Sequence, residues 1–173
     1  MITLVLGGTR SGKSMTAETL ARAFDQPVTY VATATVDPAD VDHGTRIAAH
    51  QARRPEHWAT VECATPSDLP RVLGAVIGVA LVDSLGTWVT LHTDLVVDSA
   101  ELLDALVHRT QPTIVVSEEV GLAVHPPTEL GRRYVDAMGT LNQQIAEIAD
   151  RVLFVIAGRA IDLPLREAGF DSP

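Results

Sequence analysis

At 173 residues, with 46% apolar and 20% charged side chains, the chain can bury one sizeable core and reads as a single globular domain over 1–173, neither disordered nor fibrous. A net charge of −9 argues against nucleic acid as a partner, because long polyanions are bound by basic surface that displaces counterions. One cysteine, Cys63, allows no intramolecular disulfide. The start at Met1-Ile2 carries no basic leader and reads as cytoplasmic, and the longest apolar run, 72–82, is too short and glycine-interrupted to anchor in a bilayer, which takes about 20 apolar residues.

Residues 2–6 are an apolar, β-branched run of the kind that forms a buried parallel strand. They lead directly into Gly7-Gly8-Thr9-Arg10-Ser11-Gly12-Lys13-Ser14, which fits the pattern G-x-x-x-x-G-K-[ST], and a helical pattern follows over 13–24. A strand before and a helix after turn a string match into a phosphate loop. Its glycines let successive backbone amides face phosphate oxygens, and the helix start adds partial positive charge. Lys13 reaches the terminal phosphates, and the Ser14 hydroxyl can ligate magnesium. The expected ligand is a nucleoside triphosphate with Mg2+.

A second strand pattern spans 28–32. A polar helical segment over 38–53 follows, with Asp37 as cap, Pro38 in the first turn, Asp40 near the positive end, and Pro55 as its stop. On that helix Arg46, His50 and Arg53 or Arg54 recur at spacings of three and four and share one cationic face, which is either a solvated basic surface or a phosphate-handling one. A weaker strand signal covers 60–63, then a helix 67–76 and a strand 79–82. Asp83 ends that strand. It either serves magnesium beside Ser14 or caps the turn that follows.

A helix over 99–108 with Asp98 or Ser99 as cap precedes a strand over 113–116. Glu118 and Glu119 stand just beyond that strand's end, where ligands bind in open parallel sheets, and either contact substrate or magnesium or cap a turn. Pro126-Pro127 introduces a long helix over 130–149, and a strand over 152–156 follows. The tail, 158–173, mixes proline, glycine and charge and is expected to be a short closing segment with a frayed end. Strand and helix alternate throughout, so the expected fold is α/β of the P-loop NTPase type, a mostly parallel central sheet with helices on both faces. Trp58 and Trp88 read as core, and His43, His57 and His125 lack the spacing of a metal cluster.

Beyond the loop, the chain carries Tyr30-Val31-Ala32-Thr33-Ala34, then Arg46-Ile47 with His50, Arg53, Arg54, Pro55 and Trp58, then Glu62, Asp83-Ser84-Leu85 and Trp88. Glu119-Val120-Gly121 and Leu130-Gly131-Arg132-Arg133 follow, with Asp136, Gly139, Leu141, Asn142 and Gln143. Over nearly its whole length it resembles the bifunctional adenosylcobinamide kinase and adenosylcobinamide-phosphate guanylyltransferases of cobalamin biosynthesis. The resemblance implies that His50 becomes covalently bonded to GMP. It implies nucleotide contacts from Gly7 to Ser14, from Ala32, Thr33 and Ala34, from Gln51, Ala52, Arg53 and Arg54, and from Glu62 and Asp83. Adenosylcobinamide and adenosylcobinamide phosphate are the implied substrates, and a homotrimer the implied assembly. The chain departs from the family pattern in having Glu118 where asparagine is usual, Ala123 in place of a glycine, and His92 in place of asparagine.

Two chemistries are then expected in one nucleotide region. In the kinase step the terminal phosphoryl of GTP or ATP passes to a hydroxyl on the aminopropanol arm of adenosylcobinamide, with Lys13, Ser14 and magnesium stabilising the charge. In the nucleotidyl step His50 attacks the α-phosphate of GTP, a role open to a neutral imidazole at physiological pH. Flanking guanidiniums hold phosphate oxygens and disfavour protonation of the ring. A monofunctional small-molecule kinase, for which His50 is incidental, and a nucleotide-dependent binding switch are the rival readings.

Overall fold

The computed structural model describes residues 1–33 and 54–164. The strands are β1 (Ile2–Gly7), β2 (Val28–Ala32), β3 (Ala59–Glu62), β4 (Val79–Asp83), β5 (Thr113–Glu118), β6 (Arg151–Ile156) and β7 (Arg159–Leu163). The described helices are α1 (Lys13–Arg22), α2 (Asp68–Ala75), α3 (Leu85–Thr90), α4 (Ala100–His108) and α5 (Glu129–Ile148), with a 3-10 turn at Thr93–Leu95. The strands form one sheet in the order β3-β2-β4-β5-β1-β6-β7. Every pairing is parallel except β6 with β7. The helix expected over 38–53 lies outside the described residues.

Strands β1, β2, β4, β5 and β6 are apolar on both faces, and successive side chains point to opposite sides, so each of these five feeds two cores. Ile2, Leu4 and Leu6 of β1 pack with Val82, Val115 and Val152 under α2, α3, α4 and α5. Val5 of the same strand faces the other way with Leu81, Val116 and Leu153, beneath Ala17 and Ala21 of α1. Helices cover both faces, as the alternation of strand and helix predicts. Cys63 and Trp88, at 1% exposure each, belong to the first core, and Trp58 to the second. Trp88 spends its one donor on Pro66 O at 3.0 Å, which is the position of a packing residue.

Helix ends are closed by side chains. Thr128 Oγ1 accepts from Gly131 N at 3.1 Å at the start of α5, and Asp98 Oδ1 accepts from Ala100 N before α4. The half-buried Arg109 guanidinium donates to Leu73 O at 2.8 Å and Val76 O at 2.6 Å, satisfying carbonyls at the end of α2.

Two elements differ from the sequence expectation. The run after Asp83 is a helix, α3, held by a capping box in which Ser84 and Thr87 bond each other's backbone. The tail from 158, expected as a short closing segment, opens with a strand, and the end expected to fray, 165–173, lies outside the described residues. Ala157 (φ 51°) and Gly158 (φ 74°) form a two-residue turn of primed type, and Arg159–Leu163 returns antiparallel to β6 as the sheet edge. No described helix is long and apolar enough to cross a membrane.

Candidate nucleotide site

The carboxyl ends of β1, β2, β4 and β5 meet at one edge of the sheet. Register places Gly7 beside Glu118, and Ala32 beside Asp83. Ligands of open α/β sheets bind at such an edge. The loop from Gly7 to Gly12 turns there from β1 into α1. Arg10 (φ 57°) and Gly12 (φ 96°) lie in the left-handed region, which reverses the direction of successive amides and makes a concavity for an anion. A Cβ on Gly7 would come 2.8 Å from Val155 O, and one on Gly12 3.1 Å from Gly158 Cα, so the loop can be seated this deeply only with glycine at both positions. Gly158 N donates to Ser11 O at 2.8 Å. The β6–β7 turn thus braces the phosphate loop from behind.

Lys13 opens α1 and is the only lysine in the chain. Its Nζ lies 3.4 Å from Gly8 O and 3.5 Å from Glu118 Oε1. Ser14 follows on the first turn, partly exposed. Ser11 Oγ is buried with no hydrogen-bond partner among the described residues, a polar atom in the loop left for an incoming acceptor.

Asp83 ends β4, and Tyr30 donates its hydroxyl to Asp83 Oδ2 at 2.5 Å. Burial, and next the Asp83 charge, push the Tyr30 phenol upward, so it stays a donor that fixes the carboxylate's orientation. The Arg54 guanidinium lies over the Tyr30 ring, 3.3 Å from its centroid, bringing a cation to the same edge. Thr33 is fully buried: its Oγ1 donates to Ser84 O at 2.5 Å and accepts from Ser84 N at 3.0 Å. Its side chain therefore braces the Asp83-Ser84 turn. Ala32 ends β2 beside it.

Glu118 is the site residue whose setting the sequence left most open. Its Oε1 accepts from Ser84 Oγ at 2.9 Å and its Oε2 from Gly86 N at 2.8 Å, so β5, β4 and α3 are tied together under Lys13. Asn142 of α5 donates to Glu118 O at 3.0 Å and accepts from Ser117 Oγ at 2.5 Å, holding the strand end. Burial first and the Glu118 charge second push the Tyr134 phenol up to about 12. Glu119 instead folds back to accept from Gly121 N at 2.6 Å, the turn-capping alternative.

Other expected residues stand apart. Glu62 is exposed at the end of the edge strand β3, four strand positions from β1 and so roughly 19 Å from Gly7 at the usual inter-strand spacing. It does not meet the phosphate loop. His92 packs its ring edge-on against Trp88, with centroids 4.4 Å apart. Arg132 caps Pro126 O and Pro127 O, and Arg133 pairs with Glu129 on the surface. His50, Ala34, Gln51, Ala52 and Arg53 lie outside the described residues. Among the described residues no three His, Cys, Asp or Glu side chains group as a metal cage.

Residues 3–163 match the sequence model of the cobinamide kinase / cobinamide phosphate guanyltransferase family. The chain belongs to that family. It is 44% identical to the bifunctional adenosylcobalamin biosynthesis protein CobP of Pseudomonas aeruginosa, covering 94% of this chain and 96% of the relative. To the bifunctional adenosylcobalamin biosynthesis protein CobU of Escherichia coli it is 32% identical, covering 94% and 99%. Among solved structures it is similar to an ATPase of a bacterial type III secretion system (TM-score 0.55, 10% identity, 93% of this chain but 56% of that longer one). It is also similar to the flagellar accessory protein FlaH of Methanocaldococcus jannaschii (TM-score 0.54, 14% identity, 92% and 74%). At such identities these neighbours speak to the fold alone, the P-loop NTPase type.

Proposed function

We propose that this chain is a bifunctional transferase of cobalamin biosynthesis that phosphorylates adenosylcobinamide with GTP or ATP and then transfers GMP from GTP to adenosylcobinamide phosphate. The observation that carries the reading is a phosphate loop, bearing the chain's only lysine, at the carboxyl edge of a sheet whose sequence matches this family over residues 3–163.

In the kinase step the amides of Gly8 to Ser14 hold the β- and γ-phosphates, and Lys13 takes up negative charge on the oxygens of the transferred group. The acceptor hydroxyl forms a bond to the γ-phosphorus as the bond to the β–γ bridging oxygen breaks. The donor set fits Mg2+. Ser14 and Asp83 offer a hydroxyl and a carboxylate, hard oxygen ligands, and Mg2+ is held by one or two such groups plus substrate phosphates rather than by a protein cage. When bound, the ion neutralises phosphate charge.

In the nucleotidyl step the His50 imidazole attacks the α-phosphorus of GTP, pyrophosphate leaves, and the phosphate of adenosylcobinamide phosphate then displaces histidine to receive GMP. Arg54, stacked on Tyr30 at the sheet edge, steadies phosphate oxygens during that transfer. The working assembly is a homotrimer in the cytoplasm. The test uses His50→Ala: GTP labelled at the α-phosphorus marks the wild-type protein covalently and leaves the variant unmarked, while phosphorylation of adenosylcobinamide continues. Label retained on the variant would remove His50 from the role.

A further inference from the structure

The phosphate loop keeps its only ammonium group beside a carboxylate that cannot get out of the way. Lys13 Nζ is 3.5 Å from Glu118 Oε1, with side-chain exposures of 12% and 23%. Lys13 sits on a flexible four-carbon stem and can swing to a ligand. Glu118 is fixed. Ser84 Oγ and Gly86 N each donate to one of its oxygens, Asn142 holds its carbonyl, and its backbone lies in register with Gly7. The carboxylate fits against α3 only because residue 86 has no side chain, since a Cβ there would collide with Glu118 Oε2 and come 2.6 Å from the Tyr134 hydroxyl.

A triphosphate entering the loop therefore draws Lys13 away from a carboxylate that stays behind. Glu118 is left facing phosphate oxygens of its own sign at short range, where like charges cost most in a partly buried site. Neighbouring groups do little to relieve it. Ser84 and Gly86 are neutral donors, Tyr134 stays protonated with its phenol near 12, and Asp83 adds a second negative group on the adjoining strand. A metal-free triphosphate arrives with its full charge, whereas one carrying a divalent cation arrives with part of that charge offset.

From this geometry, and resting on the nucleotide reading above, we infer that Glu118 is a specificity-determining residue that makes triphosphate binding conditional on a divalent cation. An amide at the same position would hold Ser84 and Gly86 without the repulsion.

The test is a titration of GTP into the full-length protein by calorimetry, once with excess Mg2+ and once with chelator, for wild type and Glu118→Gln. Wild type should bind far more weakly in chelator. Glu118→Gln should tighten the metal-free binding by about tenfold and narrow the ratio of the two dissociation constants correspondingly. Glu118→Asp, which keeps the charge, should preserve the wild-type ratio, and Glu118→Asn supplies a second neutral variant should the glutamine fold poorly. A ratio unchanged in both amide variants, or narrowed equally by aspartate, would overturn the inference. Wild type that binds no triphosphate in either buffer would instead strike the nucleotide reading itself, a separate result from one confined to Glu118.

Discussion

Lys13 is the chain's one lysine and the loop's one ammonium group, set among backbone dipoles at the start of α1. Hydrogen bonds to charged groups contribute about 1.5–3 kcal/mol, so Lys13→Ala should weaken GTP binding by roughly 10- to 100-fold and lower both activities. Equilibrium titration with GTP and Mg2+ measures this, and a variant within about threefold of wild type would contradict it. Lys13 was legible in the sequence because its role follows from a local pattern: a strand, a glycine-rich turn and a helix start fix where the side chain points. Tyr30, Thr33 and Asn142 were not readable in the same way. Tyr30 orients Asp83 from a neighbouring strand, Thr33 clasps a turn 51 residues away, and Asn142 reaches the end of β5 from α5. Nothing local distinguishes such residues from ordinary strand and helix positions, since their partners are brought in only by the sheet.

At the scale of elements, the five main strands were readable because both faces of each are buried, which leaves continuous β-branched runs with no polar alternation to confuse. The helix α3 escaped because its cap, Ser84, is answered by Thr87 rather than by the glutamate or glutamine that marks the usual box. The strand β7 escaped because all five of its residues are exposed and its turn, Ala157-Gly158, lacks the asparagine or aspartate that most often signals a primed turn. That hairpin matters to the site through its contact with the loop, where Gly12 holds φ 96° against Gly158. Gly12→Ala forces a side chain into a left-handed conformation and should destabilise the protein by about 1–3 kcal/mol. Gly8→Ala, with nothing within 4 Å of the added carbon, should stay within about 0.5 kcal/mol of wild type. Denaturant unfolding of the two variants side by side measures the contrast, and equal losses would mean that the loop is not held as described.

At the scale of the molecule, an acidic chain can still host a polyanionic ligand because the field that matters is gathered at one sheet edge, where loop amides, the α1 start, Lys13 and Arg54 converge. The same edge is proposed to serve attack on the γ-phosphorus in one step and on the α-phosphorus in the other. The two steps leave different atoms in the product, which makes the central claim directly measurable. Adenosylcobinamide is incubated with the protein, Mg2+ and GTP carrying distinguishable phosphorus labels at the α and γ positions, and the corrinoid product is isolated. The account predicts a product bearing both labels in equal amount, the γ-label from phosphorylation and the α-label from the GMP added to it. A product carrying the γ-label alone would mean a kinase without guanylyltransfer, and a corrinoid carrying neither would contradict the account altogether.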